Sequence, residues 1–102
     1  IYISSTAGQV GAPTMAPYCA SKHGLIGLMR SVAWDIGAHN ATANAICPGW
    51  VRTTMAEEDA RIEATAGGMD PEEIADTVSY LASDAASGVN GEALTVALGG
   101  LW

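Results

Sequence analysis

Apolar and polar positions follow two rhythms along this chain, and each change of rhythm marks an element. Ile1-Tyr2-Ile3-Ser4 is a short apolar run ending in hydroxyls, the pattern of a buried parallel strand with Ser5 at its carboxyl end. From Pro17 to about Ala38, Leu25, Leu28, Met29, Val32 and Ile36 recur at helical spacing, which predicts one long helix with an apolar stripe. Gly24, Gly27 and Ala33 are small and permit close packing of that helix against a sheet or a partner helix. Thr42 to Cys47 reads as a second strand. Asp70-Pro71-Glu72-Glu73 is a helix start, with Asp70 as N-cap, proline first and Glu73 reaching back. Ile74, Val78, Leu81 and Ala82 give that helix its buried face, and it stops near Ser83-Asp84. Asn90-Gly91 then turns the chain into a last strand, Glu92 to Leu98. Strand, helix, strand predicts a right-handed parallel crossover, so the class is α/β.

The chemistry sits between these elements. Ligands of open α/β sheets bind outside the carboxyl ends of the strands, where Ser5 falls. A loop with glycine, proline and threonine, Gly8 to Pro17, then leads to Tyr18-Cys19-Ala20-Ser21-Lys22. Tyr18 and Lys22 stand one helical turn apart on the same face. A free phenol titrates near ~10, so a tyrosine acting as a base at neutrality needs a shift of about three units, roughly 4 kcal/mol. One unit charge about 4 Å away at an effective dielectric near 20 supplies about 4 kcal/mol. A single lysine at that spacing is therefore of the right size. The Ser5 hydroxyl can donate to, or accept from, a carbonyl or alcohol oxygen, and the group suits proton transfer to that oxygen while a hydride moves at carbon. Tyrosine and lysine four apart are by themselves usually a solvated pair; here Lys22 is the chain's only lysine.

Pro48-Gly49-Trp50-Val51-Arg52-Thr53 follows the second strand. Pro-Gly alone is a turn signal. At a strand's carboxyl end the glycine lets backbone approach a flat ring, the Val51 backbone can pair with a carboxamide, and the Thr53 hydroxyl can reach a carboxamide or phosphate oxygen. Arg52 reads as a solvated or phosphate-facing charge. His23 faces away from the Tyr18–Lys22 pair, as a surface or interface residue, and His39 and Asn40 fit a helix end.

Ser5…Tyr18-x-x-x-Lys22, Pro48-Gly49-x-x-x-Thr53 and the run Leu81-Ala82-Ser83-Asp84-Ala85-Ala86-Ser87-Gly88-Val89-Asn90-Gly91 together resemble the short-chain dehydrogenase/reductase family over essentially the whole chain. The resemblance implies a Rossmann-like, doubly wound parallel sheet, of which three strands with flanking helices are present. It implies an NAD(P)-dependent oxidoreductase that interconverts a ketone or aldehyde and an alcohol, similar to 3-oxoacyl-carrier-protein reductases and secondary-alcohol dehydrogenases. On that reading Tyr18 is the proton donor and acceptor, Ser5 polarises the substrate oxygen, and Lys22 activates Tyr18 and holds the nicotinamide ribose. Pro48, Gly49, Val51 and Thr53 then line the nicotinamide of NAD or NADP. The resemblance also implies a homo-oligomer, dimer or tetramer, through the long helix, and a substrate lid around residues 54–68. Gly99-Gly100 resembles the family's closing Asp-Gly-Gly, but Ala97-Leu98 stand where the acid is expected.

Composition narrows the classes. The chain of 102 residues fits one domain, and 49% hydrophobic with 15% charged residues reads as globular. A net charge of −7 argues against nucleic acid as a partner. The acidic run Glu57-Glu58-Asp59 reads as a solvated helix face. Cys19 and Cys47 lack metal-site spacing and read as reduced, buried thiols of a cytoplasmic protein. No apolar run is long enough for a membrane, and no signal peptide is visible. The opening strand follows no glycine-rich dinucleotide fingerprint, and no acidic residue sits after a second strand to read a ribose. Residues 1–102 therefore read as the C-terminal part of one NAD(P)-binding domain whose dinucleotide half, with the determinants of NAD or NADP choice, is absent. The competing expectation is a catalytically inactive family piece that acts as an interaction or oligomerisation module.

Overall fold

The computed structural model describes residues 1–52 and 68–99. Three parallel strands, β1 (Tyr2–Ile3), β2 (Ala45–Pro48) and β3 (Ala93–Val96), form a sheet in the order β1-β2-β3. Tyr2 pairs with Ala45, and Ile46 with Leu94. The long helix α1 (Ala16–Gly37) crosses from β1 to β2, and α2 (Pro71–Leu81) precedes β3. Tight 3-10 turns, Thr6–Gly8 and Asp84–Ala86, follow β1 and α2.

The central strand decides the core. Successive side chains of a strand point to opposite faces. Ala45 and Cys47 therefore meet Ile26, Met29 and Ala33 of α1, while Ile46 faces Leu81 and Ala86, with Ile74, Val78 and Val96 packed around them. Met29 and Ile46 are completely buried, and each such side chain contributes about 1.5–3 kcal/mol.

The inward stripe of α1 differs from the one the spacing predicts. Cys19, Ile26, Met29 and Ala33 are buried, whereas Leu28 is 54% exposed. Leu25, Leu28 and Trp34 make the helix apolar on more than one side, so periodicity alone leaves its rotation open. In α2, Ala82 lies past the helix end and is exposed.

The second strand is shorter at its start than expected because its approach serves as a polar clamp. Asn44, 2% exposed, donates to the Val89 carbonyl (2.8 Å) and accepts from the Glu92 N–H (3.0 Å). Asn90 accepts from the Ala43 N–H (2.9 Å) and donates to the Ala33 carbonyl (3.0 Å), tying α1 to the turn before β3. β3 ends at Val96, and Leu98 adopts a left-handed backbone at φ 50.

Candidate active site

Among the described residues, Ser5, Gly49 and Trp50 follow the carboxyl ends of β1 and β2 and share one cavity. β1 ends in two serines that alternate in direction. Ser4 is buried and its Oγ donates to the Lys22 carbonyl at 2.9 Å. Ser5, extended at φ −168, caps the following 3-10 turn, its Oγ accepting from the Ala7 N–H at 3.1 Å. That turn packs onto α1 so closely that a Cβ on Gly8 would stand 2.4 Å from Ser4 Oγ and 2.9 Å from the Lys22 carbonyl oxygen.

Pro17 in the first turn of α1 sets the helix direction, as expected for a residue with fixed φ and no N–H to satisfy. Tyr18 and Lys22 follow on one side of it. The Lys22 Nζ lies 5.6 Å from the centroid of the Tyr18 ring and 3.4 Å from the carbonyl oxygen of Ile3, at the end of β1. Tyr18 remains 42% exposed and opens, with Ser5, onto a cavity of about 330 Å³. Gly49 and Trp50 close it from the end of β2.

Pro48 is the last residue of β2 and pairs with Val96, and the Gly49 N–H donates to the Val96 carbonyl at 3.0 Å. Val51 forms a parallel bridge with Met69. Its bonds are made by the Trp50 carbonyl (2.9 Å) and the Arg52 N–H (2.8 Å), so the N–H and C=O of Val51 itself point to the opposite side. Neither group of Val51 takes part in that bridge. The Arg52 guanidinium pairs with the Asp70 carboxylate, and the Glu73 carboxylate accepts from the Asp70 N–H at 2.9 Å. Arg52 is therefore an exposed, solvated charge that is also paired with the residue capping α2. Thr53 and the expected lid at 54–67 lie outside the described residues.

The structure thus brings Ser5, Tyr18 and Gly49 to one cavity, with Lys22 near the Tyr18 ring, whereas Pro48 and Val51 flank Gly49 and Trp50 in the chain without lining it. His23 is exposed, with Nδ1 2.8 Å from the Cys19 carbonyl oxygen on its own helix. Val10, Ala12, Pro13 and Met15, a stretch that reads in sequence only as a connecting loop, form a wall of the cavity. Their one signal is that apolar Val10 and Met15 sit in a loop rich in glycine and proline.

Cys47, fully buried beneath the site, is a free thiol, as is Cys19. Burial pushes the Cys47 thiol above its ordinary value of 9.0, against smaller lowering by a hydrogen bond from the Ser5 backbone, the Arg30 charge and the Ser4 side chain. It stays protonated at neutrality and is not a nucleophile.

A family model described as enoyl-(acyl carrier protein) reductase matches residues 1–100. The chain belongs to the short-chain dehydrogenase/reductase family. Among its relatives in that family is a 3-oxoacyl-[acyl-carrier-protein] reductase of Rickettsia felis, 37% identical over 105 residues, covering 94% of this chain and 43% of the relative. Among solved family structures, a 4-hydroxyisoleucine dehydrogenase complexed with NADH and succinate superposes with a TM-score of 0.86 at 33% identity, covering 95% of this chain and 43% of that one. The actinorhodin polyketide ketoreductase with NADPH gives a TM-score of 0.83 at 37% identity, with 95% and 44% covered. The short-chain dehydrogenase/reductase chain described here spans less than half the length of the relatives it matches.

Proposed function

We propose that this protein is an NAD(P)-dependent oxidoreductase interconverting a ketone or aldehyde and an alcohol. The observation that carries the reading is the placement of Ser5 and Tyr18 on one cavity at the carboxyl edge of a parallel sheet, with the Lys22 ammonium near the Tyr18 ring. NADH or NADPH, when bound, supplies the hydride that reaches the carbonyl carbon. In the reducing direction Tyr18 gives its phenolic proton to the carbonyl oxygen, and in the oxidising direction it takes that proton back. Ser5 Oγ holds the same oxygen by a hydrogen bond. Lys22 brings positive charge to the phenol and, by its place in the family motif, holds the nicotinamide ribose. The outward amide of Val51 fits a carboxamide, with Pro48, Gly49 and, by motif, Thr53 on the same side.

Relatives named for 3-oxoacyl-carrier-protein and polyketide reduction support a carbonyl substrate. The exposed Leu28 and Trp34, on different sides of α1, leave apolar surface that supports self-association as a dimer or tetramer. Two free buried cysteines suit a reducing, cytoplasmic setting. Among the described residues no helix is long and apolar enough to cross a membrane.

The test is ketone-dependent oxidation of NADH and of NADPH by the protein as produced in its source. Loss of reduced cofactor matched by alcohol formation is the expected result. A protein that binds neither cofactor and turns over no ketone would shift the assignment to the interaction module.

A further inference from the structure

We infer that the cavity between Ser5, Tyr18 and Trp50 selects an uncharged, largely apolar ketone or alcohol, and rejects carbonyl compounds that carry a carboxylate. This rests on the oxidoreductase reading of the same site and adds its substrate class.

The lining decides it. Val10, Pro13, Met15 and Trp50 present carbon to the cavity, and the polar side chains there are the hydroxyls of Ser5, Thr6 and Tyr18. Among the described lining residues there is no Asp, Glu, Lys, Arg or His. Among the described residues, the cations nearest the lining in sequence already have partners. Arg52, two residues beyond Trp50, is paired with Asp70, and Lys22 reaches the Ile3 carbonyl and the Tyr18 ring. A carboxylate entering this space would exchange water for apolar carbon without gaining a counter-charge, which is unfavourable. A neutral carbonyl needs only the hydroxyls for its oxygen, and its remaining carbon meets the apolar wall. At about 30 Å³ for each water displaced, a cavity of this size holds the volume of roughly eleven waters. That accommodates a short alkyl or a single aryl ketone, with the flat Trp50 ring as the aromatic wall.

The experiment measures binding and turnover separately on the full protein loaded with NADH and with NADPH. The probes are levulinate, its neutral methyl ester, and benzylacetone. In calorimetric titrations the ester binds roughly tenfold or more tighter than the acid. Val10→Lys, and independently Met15→Lys, places a cation in the wall and narrows or reverses that ratio, while Trp50→Ala weakens benzylacetone binding more than ester binding. Equal or tighter binding of levulinate to the wild-type protein overturns the inference, as does unchanged benzylacetone affinity in Trp50→Ala. Turnover separates the two claims. Selective binding without reduction by either cofactor defeats the oxidoreductase reading and leaves the recognition standing. Reduction that favours levulinate defeats the recognition and leaves the oxidoreductase reading standing.

Discussion

The Ser4 hydroxyl donates to the carbonyl oxygen of Lys22 at 2.9 Å, and this bond joins the end of β1 to the first turns of α1. The two serines in succession divide the work: Ser4 turns inward to hold the helix, and extended geometry then turns Ser5 toward the cavity. Replacing Ser4 by alanine removes one buried bond and costs about 0.5–1.5 kcal/mol in urea unfolding. Activity falls further than that loss of stability accounts for, because Ser5 and Lys22 lose their common anchor. Ketone reduction measured well below the unfolding midpoint checks it.

Gly8 is needed for space. A methyl there would meet Ser4 Oγ, the Lys22 carbonyl and Ile26 Cδ1 within 3.0 Å, so Gly8→Ala forces the 3-10 turn off α1. The expected cost is about 1–3 kcal/mol of stability. Gly11→Ala, whose methyl would find nothing within 4 Å, is the control and leaves the melting temperature nearly unchanged. Paired thermal denaturation curves test both.

How much of this was legible beforehand varies with the kind of signal. The approach of Ser5 to Tyr18, and of Lys22 to the Tyr18 ring, could be read because a strand end and a one-turn helical spacing are local signals. Asp70-Pro71-Glu72-Glu73 marked a helix start because capping is local. The rotation of α1 was not legible, since Leu28 and Ile26 are equally apolar and only the packed sheet chooses Ile26. The wall formed by Val10 and Met15 was also hidden. It depends on how the loop comes to face Gly49 and Trp50, and no periodicity encodes that.

Asn44 takes part in two of the bonds that hold β2 to the turn before β3. Asn44→Ala removes two part-buried hydrogen bonds, to the Val89 carbonyl and from the Glu92 N–H, at about 0.5–1.5 kcal/mol each. Chemical denaturation should show this loss. Asn90→Ala, at a more exposed residue, loses less.

The Cys47 thiol gives a pH signature. Its folded pKa lies above the ordinary 9.0, so above that pH the unfolded chain gives up the proton while the folded chain keeps it. The unfolded state then binds fewer protons, and stability falls as pH rises from 9.0 toward the folded value; below 9.0 the contribution is fully present. Cys47→Ala removes this component of the alkaline slope, although a cavity lowers its stability at every pH. Urea midpoints for both proteins across the alkaline range measure the difference.

The most direct test is Tyr18→Phe in the full protein, assayed for ketone reduction with saturating NADH and NADPH. Tyr18 is 42% exposed, so losing its hydroxyl leaves the circular dichroism and melting temperature essentially unchanged. Turnover falls by roughly 10²–10⁴-fold, the worth of a positioned proton donor. Reduction at the wild-type rate in a normally folded Tyr18→Phe protein would contradict the account, because the proton would then come from somewhere other than this phenol.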